Sequence, residues 1–213
     1  MKVPFNLWMK VLPVIVRYME TRRLSYCMIG GVAFHILTSE RVDTKDIDLV
    51  APSFKLSVDG LRDLANYLQS NGLFVASSRL LDQPGGVIAQ VIVGLEPPYL
   101  LGVEVFTKIY GKSAYPLFKD VQTKRLSFGE INVVSPASYI ALILSEPSGI
   151  RGEDIHRIEE VAEKCSVSPW SVAEKLSELN LLGIASTNLV DQASRGGLTP
   201  FLEKLSEILG VKK

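Results

Sequence analysis

The most chemically loaded stretch of the chain is Asp46-Ile47-Asp48, two carboxylates separated by one apolar residue. In a strand, residues i and i+2 point to the same face, so the two acids would lie side by side with Ile47 and Leu49 turned inward. Like charges at that separation push one partner toward its protonated form unless a cation intervenes. A hard divalent ion suits the arrangement, because magnesium takes one or two carboxylates together with substrate phosphates. Upstream lies Ile29-Gly30-Gly31, between a short apolar run and a helical pattern. Glycines let backbone approach a phosphate closely, and a helix start offers free N–H groups with partial positive charge. The third feature is Glu104 between Val103 and Val105. A lone carboxylate buried unpaired in an apolar strand costs roughly several kcal/mol, and completing a metal site would explain it.

Each feature has a plainer alternative. Asp46 and Asp48 also suit a solvent-facing strand end, Gly30-Gly31 a tight turn, and Glu104 an edge position or a lysine salt bridge. His35, one helical turn after Gly31, reads as a packed or capping histidine, and Thr44 as a turn residue or a site-lining hydroxyl.

The elements that must position these residues are legible from periodicity. Leu7, Val11, Ile15 and Met19 predict an amphipathic helix over 6–20, with Pro13 as a kink or a late start. Tyr26 to Ile29 predicts a strand, and Val32 to Leu37 a short helix. Strands are expected at Asp46–Val50, Phe74–Ser77 (an edge), Val87–Val93 after Gly85-Gly86, and Leu100–Phe106, with a helix at Val58–Leu68. Residues 107–125 have weak periodicity and are expected to form a mobile loop. A hairpin is expected around Gly129-Glu130, then helices at 136–145, 153–165, 169–180 and 199–209. This outlines an α/β region over 1–135, N-terminal helix included, and a helical region over 136–213.

Lysine and arginine number 23 and aspartate and glutamate 23, so the formal net charge is zero, unlike proteins that grip long nucleic acid by charge alone. Lys108, Lys112, Lys119, Lys124 and Arg125 concentrate basic charge in the 107–125 stretch, where they could meet a triphosphate or acceptor, or simply solvent. Cys27 and Cys165 have no metal-ligand spacing and read as core side chains. No apolar run reaches the ~18 residues of a membrane span, and nothing resembles a secretory signal, so a cytoplasmic protein is expected.

Together, Ile29-Gly30-Gly31, Asp46-Ile47-Asp48-Leu49 and Glu104 resemble the nucleotidyltransferase superfamily related to DNA polymerase beta. Its pattern is an apolar residue, Gly, then Gly or Ser, then Asp-x-Asp on a strand and a third carboxylate on a later strand. The stretches Gly30-Gly31-Val32-Ala33 and Thr44-Lys45-Asp46-Ile47-Asp48-Leu49 are most similar to the small prokaryotic branch, which includes abortive-infection toxins. Arg151-Gly152-Glu153-Asp154-Ile155 is similar to a helical segment that follows the sheet in those proteins. The resemblance spans about residues 24–160; the third carboxylate is Glu where Asp is commoner, and residues 137–145 lack a lysine often found there.

The resemblance implies an α+β fold: a mixed twisted β-sheet of nucleotidyltransferase type with flanking helices, followed by a C-terminal helical region. It implies Mg2+ or Mn2+ on Asp46, Asp48 and Glu104, and a nucleoside triphosphate whose outer phosphates rest on Gly30 and Gly31, with Thr44 and Lys108 as further nucleotide contacts. The implied reaction is in-line transfer of a nucleoside monophosphate to a hydroxyl of RNA, protein or a small molecule, with pyrophosphate released. Two alternatives are an inactive nucleotide-binding or toxin–antitoxin component with a partner protein, and a DNA-binding regulator using the C-terminal helices. The latter needs a basic recognition helix, yet Trp170 to Leu179 offers only Lys175. A glycosyltransferase also uses Asp-x-Asp, but its longer preceding nucleotide unit does not fit the 45 residues before Asp46.

Overall fold

The computed structural model describes residues 1–83 and 86–211; Gly85, expected to help open a strand, lies outside them. The chain divides into two compact units, Met1–Val133 and Val134–Lys213.

The first unit is built on a mixed sheet. Its strands are β1 (Cys27–Met28), β2 (Asp46–Val50), β3 (Phe74–Gln83), β4 (Gly86–Gly94), β5 (Leu100–Phe106), β8 (Gln122–Leu126) and β9 (Gly129–Val133), ordered β3-β4-β5-β2-β1-β9-β8. A separate two-stranded piece holds β6 (Lys108–Ile109) and β7 (Lys112–Ser113). The pairs β2–β5 and β1–β9 are parallel; β1–β2, β4–β5, β3–β4 and β8–β9 are antiparallel. Ile47, Leu49, Ala89, Val91, Val93, Val103 and Val105 are all fully buried. Each fully buried branched side chain contributes roughly 1.5–3 kcal/mol. This alternation turns the intervening residues, Asp46, Asp48, Gln90, Gly102 and Glu104, to the opposite face.

Three helices flank the sheet: α1 (Phe5–Thr21), α2 (Gly30–Thr38) and α3 (Val58–Ser70). Helix α1 runs through Pro13 without interruption. Its buried stripe from Leu7 to Met19 outweighs the ~3 kcal/mol that an interior proline costs. Helix α2 starts two residues earlier than the pattern predicts, so Gly30 and Gly31 form its first turn. Helix α3 is capped by Ser57, whose hydroxyl accepts from Gly60 N at 3.2 Å.

The structure corrects the expectation of a mobile loop over 107–125. That stretch forms β6, β7, a 3-10 turn at Tyr115–Lys119 and most of β8. Ile109, Ala114 and Leu117 anchor it by burial. Strand β3 is also longer than expected, because its exposed face carries no apolar alternation to mark it. Burial pushes the Cys27 thiol up to about 12, as befits a core side chain.

The second unit is helical: α4 (Pro136–Leu144), α5 (Gly152–Lys164), α6 (Pro169–Glu178), α7 (Leu182–Ser194) and α8 (Pro200–Ile208). Helix α4 packs against α5, α6 and α7, and α6 packs against α8. Helix α7 escapes the periodicity reading because Gly183, Thr187 and Asn188 dilute its apolar stripe. Asn188 secures it by donating its Nδ2 to Leu144 O and Glu146 O, both at 2.9 Å. No helix among the described residues is long and apolar enough to cross a membrane.

Candidate functional site

Register brings the carboxylates together. Asp48 lies directly opposite Glu104 in the parallel pair β2–β5, and Asp46 opposite Gly102. A β-carbon on Gly102 would overlap Asp46 Oδ1, and one on Gly30 would overlap Asp48 Oδ2. The two acids of Asp46-Ile47-Asp48 are thus each seated on a glycine, one in the neighbouring strand and one at the start of α2. Gly30 also has φ +60°, a conformation that favours glycine. The first α2 bond runs from Ala33 N to Ile29 O, so the N–H groups of Gly30, Gly31 and Val32 lack intrahelical acceptors.

The loop entering β2 is tied to the N-terminal segment. Val3 and Thr44 exchange backbone hydrogen bonds at 2.6 and 3.1 Å. Trp8, fully buried, donates its Nε1 to Val42 O at 2.9 Å, and Phe5 N donates to Asp43 Oδ1 at 3.1 Å. Thr44 donates its hydroxyl to Asp46 O at 3.0 Å, and the Thr44 Oγ1 lies 2.8 Å from where a Gly31 β-carbon would stand. Its hydroxyl therefore braces the loop. His35 takes its packed reading: Nδ1 contacts Glu40 O at 2.6 Å, and the ring meets Phe5 and Trp8 edge-on. Arg41 sits over the Phe5 ring at 5.5 Å. Lys108 is exposed in β6, two residues past the end of β5, and takes no part in the carboxylate row.

Two side chains that local sequence does not single out extend that row. Gln90 on β4 pairs with Glu104 in register, and Arg79 on β3 pairs with Gln90. Gln90 Nε2 donates to Glu104 Oε1 at 2.6 Å, and Arg79 Nε donates to Gln90 Oε1 at 2.9 Å. Asp48, Glu104, Gln90 and Arg79 therefore run side by side across four strands. The only local signal was Gln90 itself, the one polar side chain of Gly86–Gly94.

The site is electrostatically uncomfortable. Burial pushes the Asp46 carboxyl up from its ordinary value, against the pull of Lys45 and the amino terminus. Burial also raises Glu104, and the Asp46 charge adds to it, while the Gln90 hydrogen bond and Arg79 pull it back. Oxygen donors on one face suit a hard cation. Among the described residues, however, no three His, Cys, Asp or Glu side chains form a ready-made metal group.

In the second unit, the DNA-binding alternative loses the one cation of its Trp170 to Leu179 helix. Lys175 is buried and donates to Glu178 Oε2 at 2.6 Å.

No family model and no curated protein matches the sequence. Solved structures do. An antigenic nucleotidyltransferase-like protein from Paracoccidioides brasiliensis matches at TM-score 0.59 and 18% identity, covering 100% of this chain and 96% of that one. JHP933 from Helicobacter pylori matches at 0.53 and 14%, covering 95% and 87%. ANT(2")-Ia, solved with adenylyl-2"-tobramycin, matches at 0.51 and 14%, covering 80% and 95%. At these identities the likeness shows the fold, which is the mixed-sheet nucleotidyltransferase fold expected from the sequence.

Proposed function

We propose that the chain is a metal-dependent nucleotidyltransferase that moves a nucleoside monophosphate from a nucleoside triphosphate to an acceptor hydroxyl. The observation that carries this reading is the register of β2 and β5, which sets Asp48 beside Glu104 and seats Asp46 on Gly102. Two of the similar structures are an antigenic nucleotidyltransferase-like protein and ANT(2")-Ia solved with adenylyl-2"-tobramycin.

In this reading Asp46 and Asp48 hold Mg2+ or Mn2+, and Glu104 adds a further oxygen. The bound ion would supply charge compensation for the triphosphate and for the leaving pyrophosphate. The N–H groups at the start of α2 offer donors to phosphate oxygens. The acceptor oxygen forms a bond to the α-phosphorus as the bond from that phosphorus to the bridging oxygen breaks, and the hydroxyl proton leaves to solvent. Lys108 and the other exposed cations of 108–125 suit the outer part of an anionic substrate. The Gly30 to Leu49 motif supports a place in the small prokaryotic branch that includes abortive-infection toxins; the site of action in this reading is the cytoplasm, and a partner protein belongs to the inactive, toxin–antitoxin alternative.

The test is incubation with each labelled triphosphate, magnesium and total cellular RNA or protein, beside an Asp46→Ala, Asp48→Ala double variant. Label transfer by the unmodified protein alone is the expected result. Equal labelling by both, or none in the presence of bound triphosphate, overturns it and favours an inactive nucleotide-binding component.

A further inference from the structure

Glu104 is the member of the carboxylate row with a built support. Its Oε1 accepts from Gln90, which is 8% exposed, and the Gln90 carbonyl accepts from Arg79. This fixes which way the Gln90 amide faces: a carboxylate can only accept and a guanidinium only donate, so nitrogen must meet Glu104 and oxygen Arg79. Among the described residues, Glu104 Oε2 makes no hydrogen bond. The support therefore occupies one oxygen and leaves the other.

We propose that Gln90 and Arg79 are positioning residues for Glu104: Gln90 clamps its carboxylate in one orientation, and Arg79 locks the Gln90 amide the right way round. The proposal rests on the metal-site reading above. Three separate strands supply the parts, each in direct register with the next, so strand pairing presets the clamp before any substrate arrives. A freely rotating glutamate would lose side-chain entropy when it engaged an ion; the clamp removes that cost in advance. Groups that orient ligands from behind typically change metal affinity or turnover 10–100-fold when removed. Arg79, through its Nε, forms the far end of the clamp, on the edge strand β3 of the sheet.

The experiment uses the full chain and two readouts. Mn2+ affinity is titrated by electron paramagnetic resonance with a non-hydrolysable ATP analogue, and pyrophosphate release from ATP is followed with total RNA present. Variants are Gln90→Leu, Arg79→Ala, Arg79→Lys, Glu104→Gln and the double variant Gln90→Leu, Glu104→Gln, each checked for folding by thermal melting. Gln90→Leu is expected to weaken Mn2+ about tenfold, with kcat falling more than KM rises. Arg79→Ala should have a smaller effect of the same kind, partly rescued by Arg79→Lys. Once Glu104 is Gln, adding Gln90→Leu should change Mn2+ affinity less than twofold. The clamp is refuted if Gln90→Leu leaves Mn2+ affinity and kcat within twofold of the unmodified protein, or if its effect persists undiminished in the Glu104→Gln background. Those results leave the nucleotidyltransferase reading standing if Asp48→Ala still abolishes Mn2+ binding. Failure of the unmodified protein to bind Mn2+ at all instead removes the reading itself, and the clamp with it.

Discussion

The Asp46 carboxylate fills the space of the β-carbon that Gly102 lacks. A side chain at Gly102 would therefore collide with Asp46, although the two belong to strands separated in the chain by α3, β3 and β4. Gly30 and Asp48 repeat the arrangement on the other side of β2.

Gly102→Ala and Gly30→Ala should each displace an aspartate. Overpacking of this kind costs roughly 1–3 kcal/mol, and Gly30 adds strain from its φ of +60°. Chemical denaturation is expected to show the loss. Divalent-ion affinity should fall by at least about tenfold; a Gly102→Ala protein with unchanged Mn2+ affinity would mean that Asp46 is not a ligand.

The metal-free protein should be less stable at neutral pH than in mild acid, as far as these two acids decide it. Asp46 and Glu104 are harder to ionise folded than unfolded. Their penalty is absent below the ordinary carboxylate values of 3.8 and 4.5 and grows as pH rises through those toward the raised folded values. Asp46→Asn and Glu104→Gln should therefore raise the melting temperature at pH 7 without metal and flatten the pH dependence. Melting curves across pH 4 to 8, roughly the titration range of such groups, provide the check.

Mg2+ with ATP should stabilise the unmodified protein at pH 7 by about 2.7 kcal/mol when ligand is a hundredfold above Kd. The increment should vanish in Asp46→Ala, Asp48→Ala. A thermal shift that survives this double variant would place the ligand elsewhere.

Trp8→Phe should act on the site from a distance. A smaller aromatic ring remains, some packing volume is lost at this fully buried position, and the 2.9 Å bond to Val42 O goes, and with it one restraint on the loop into β2. A lost buried bond costs roughly 1–3 kcal/mol. Amide exchange over residues 40–46 should accelerate while exchange in α3 stays unchanged.

The core of the site was readable from residue types because strand alternation is a local property. Asp46–Val50 and Leu100–Phe106 form strands over the residues expected, and their buried members are the apolar ones. Pairing register is not local, so neither Gln90 nor Arg79 could be joined to Glu104 from the chain alone. Gly30 and Gly31 suggest closeness to phosphate from sequence, whereas in the fold Gly30, like the unmarked Gly102, first makes room for a carboxylate. Helix α7 and the ordered 107–125 stretch were missed because tertiary burial of a few residues, such as Leu189 and Leu117, overrides weak local preference.

The parallel pairing of β2 with β5 has a consequence for how the protein acquires its chemistry. Parallel neighbours need a crossover, and here the connection carries α3 and two further strands. A nascent chain that ends before β5 holds both aspartates but neither the glycine seat beneath Asp46 nor the carboxylate beside Asp48. The carboxylate cluster therefore comes into being only when β5 pairs with β2, so a half-made chain lacks it.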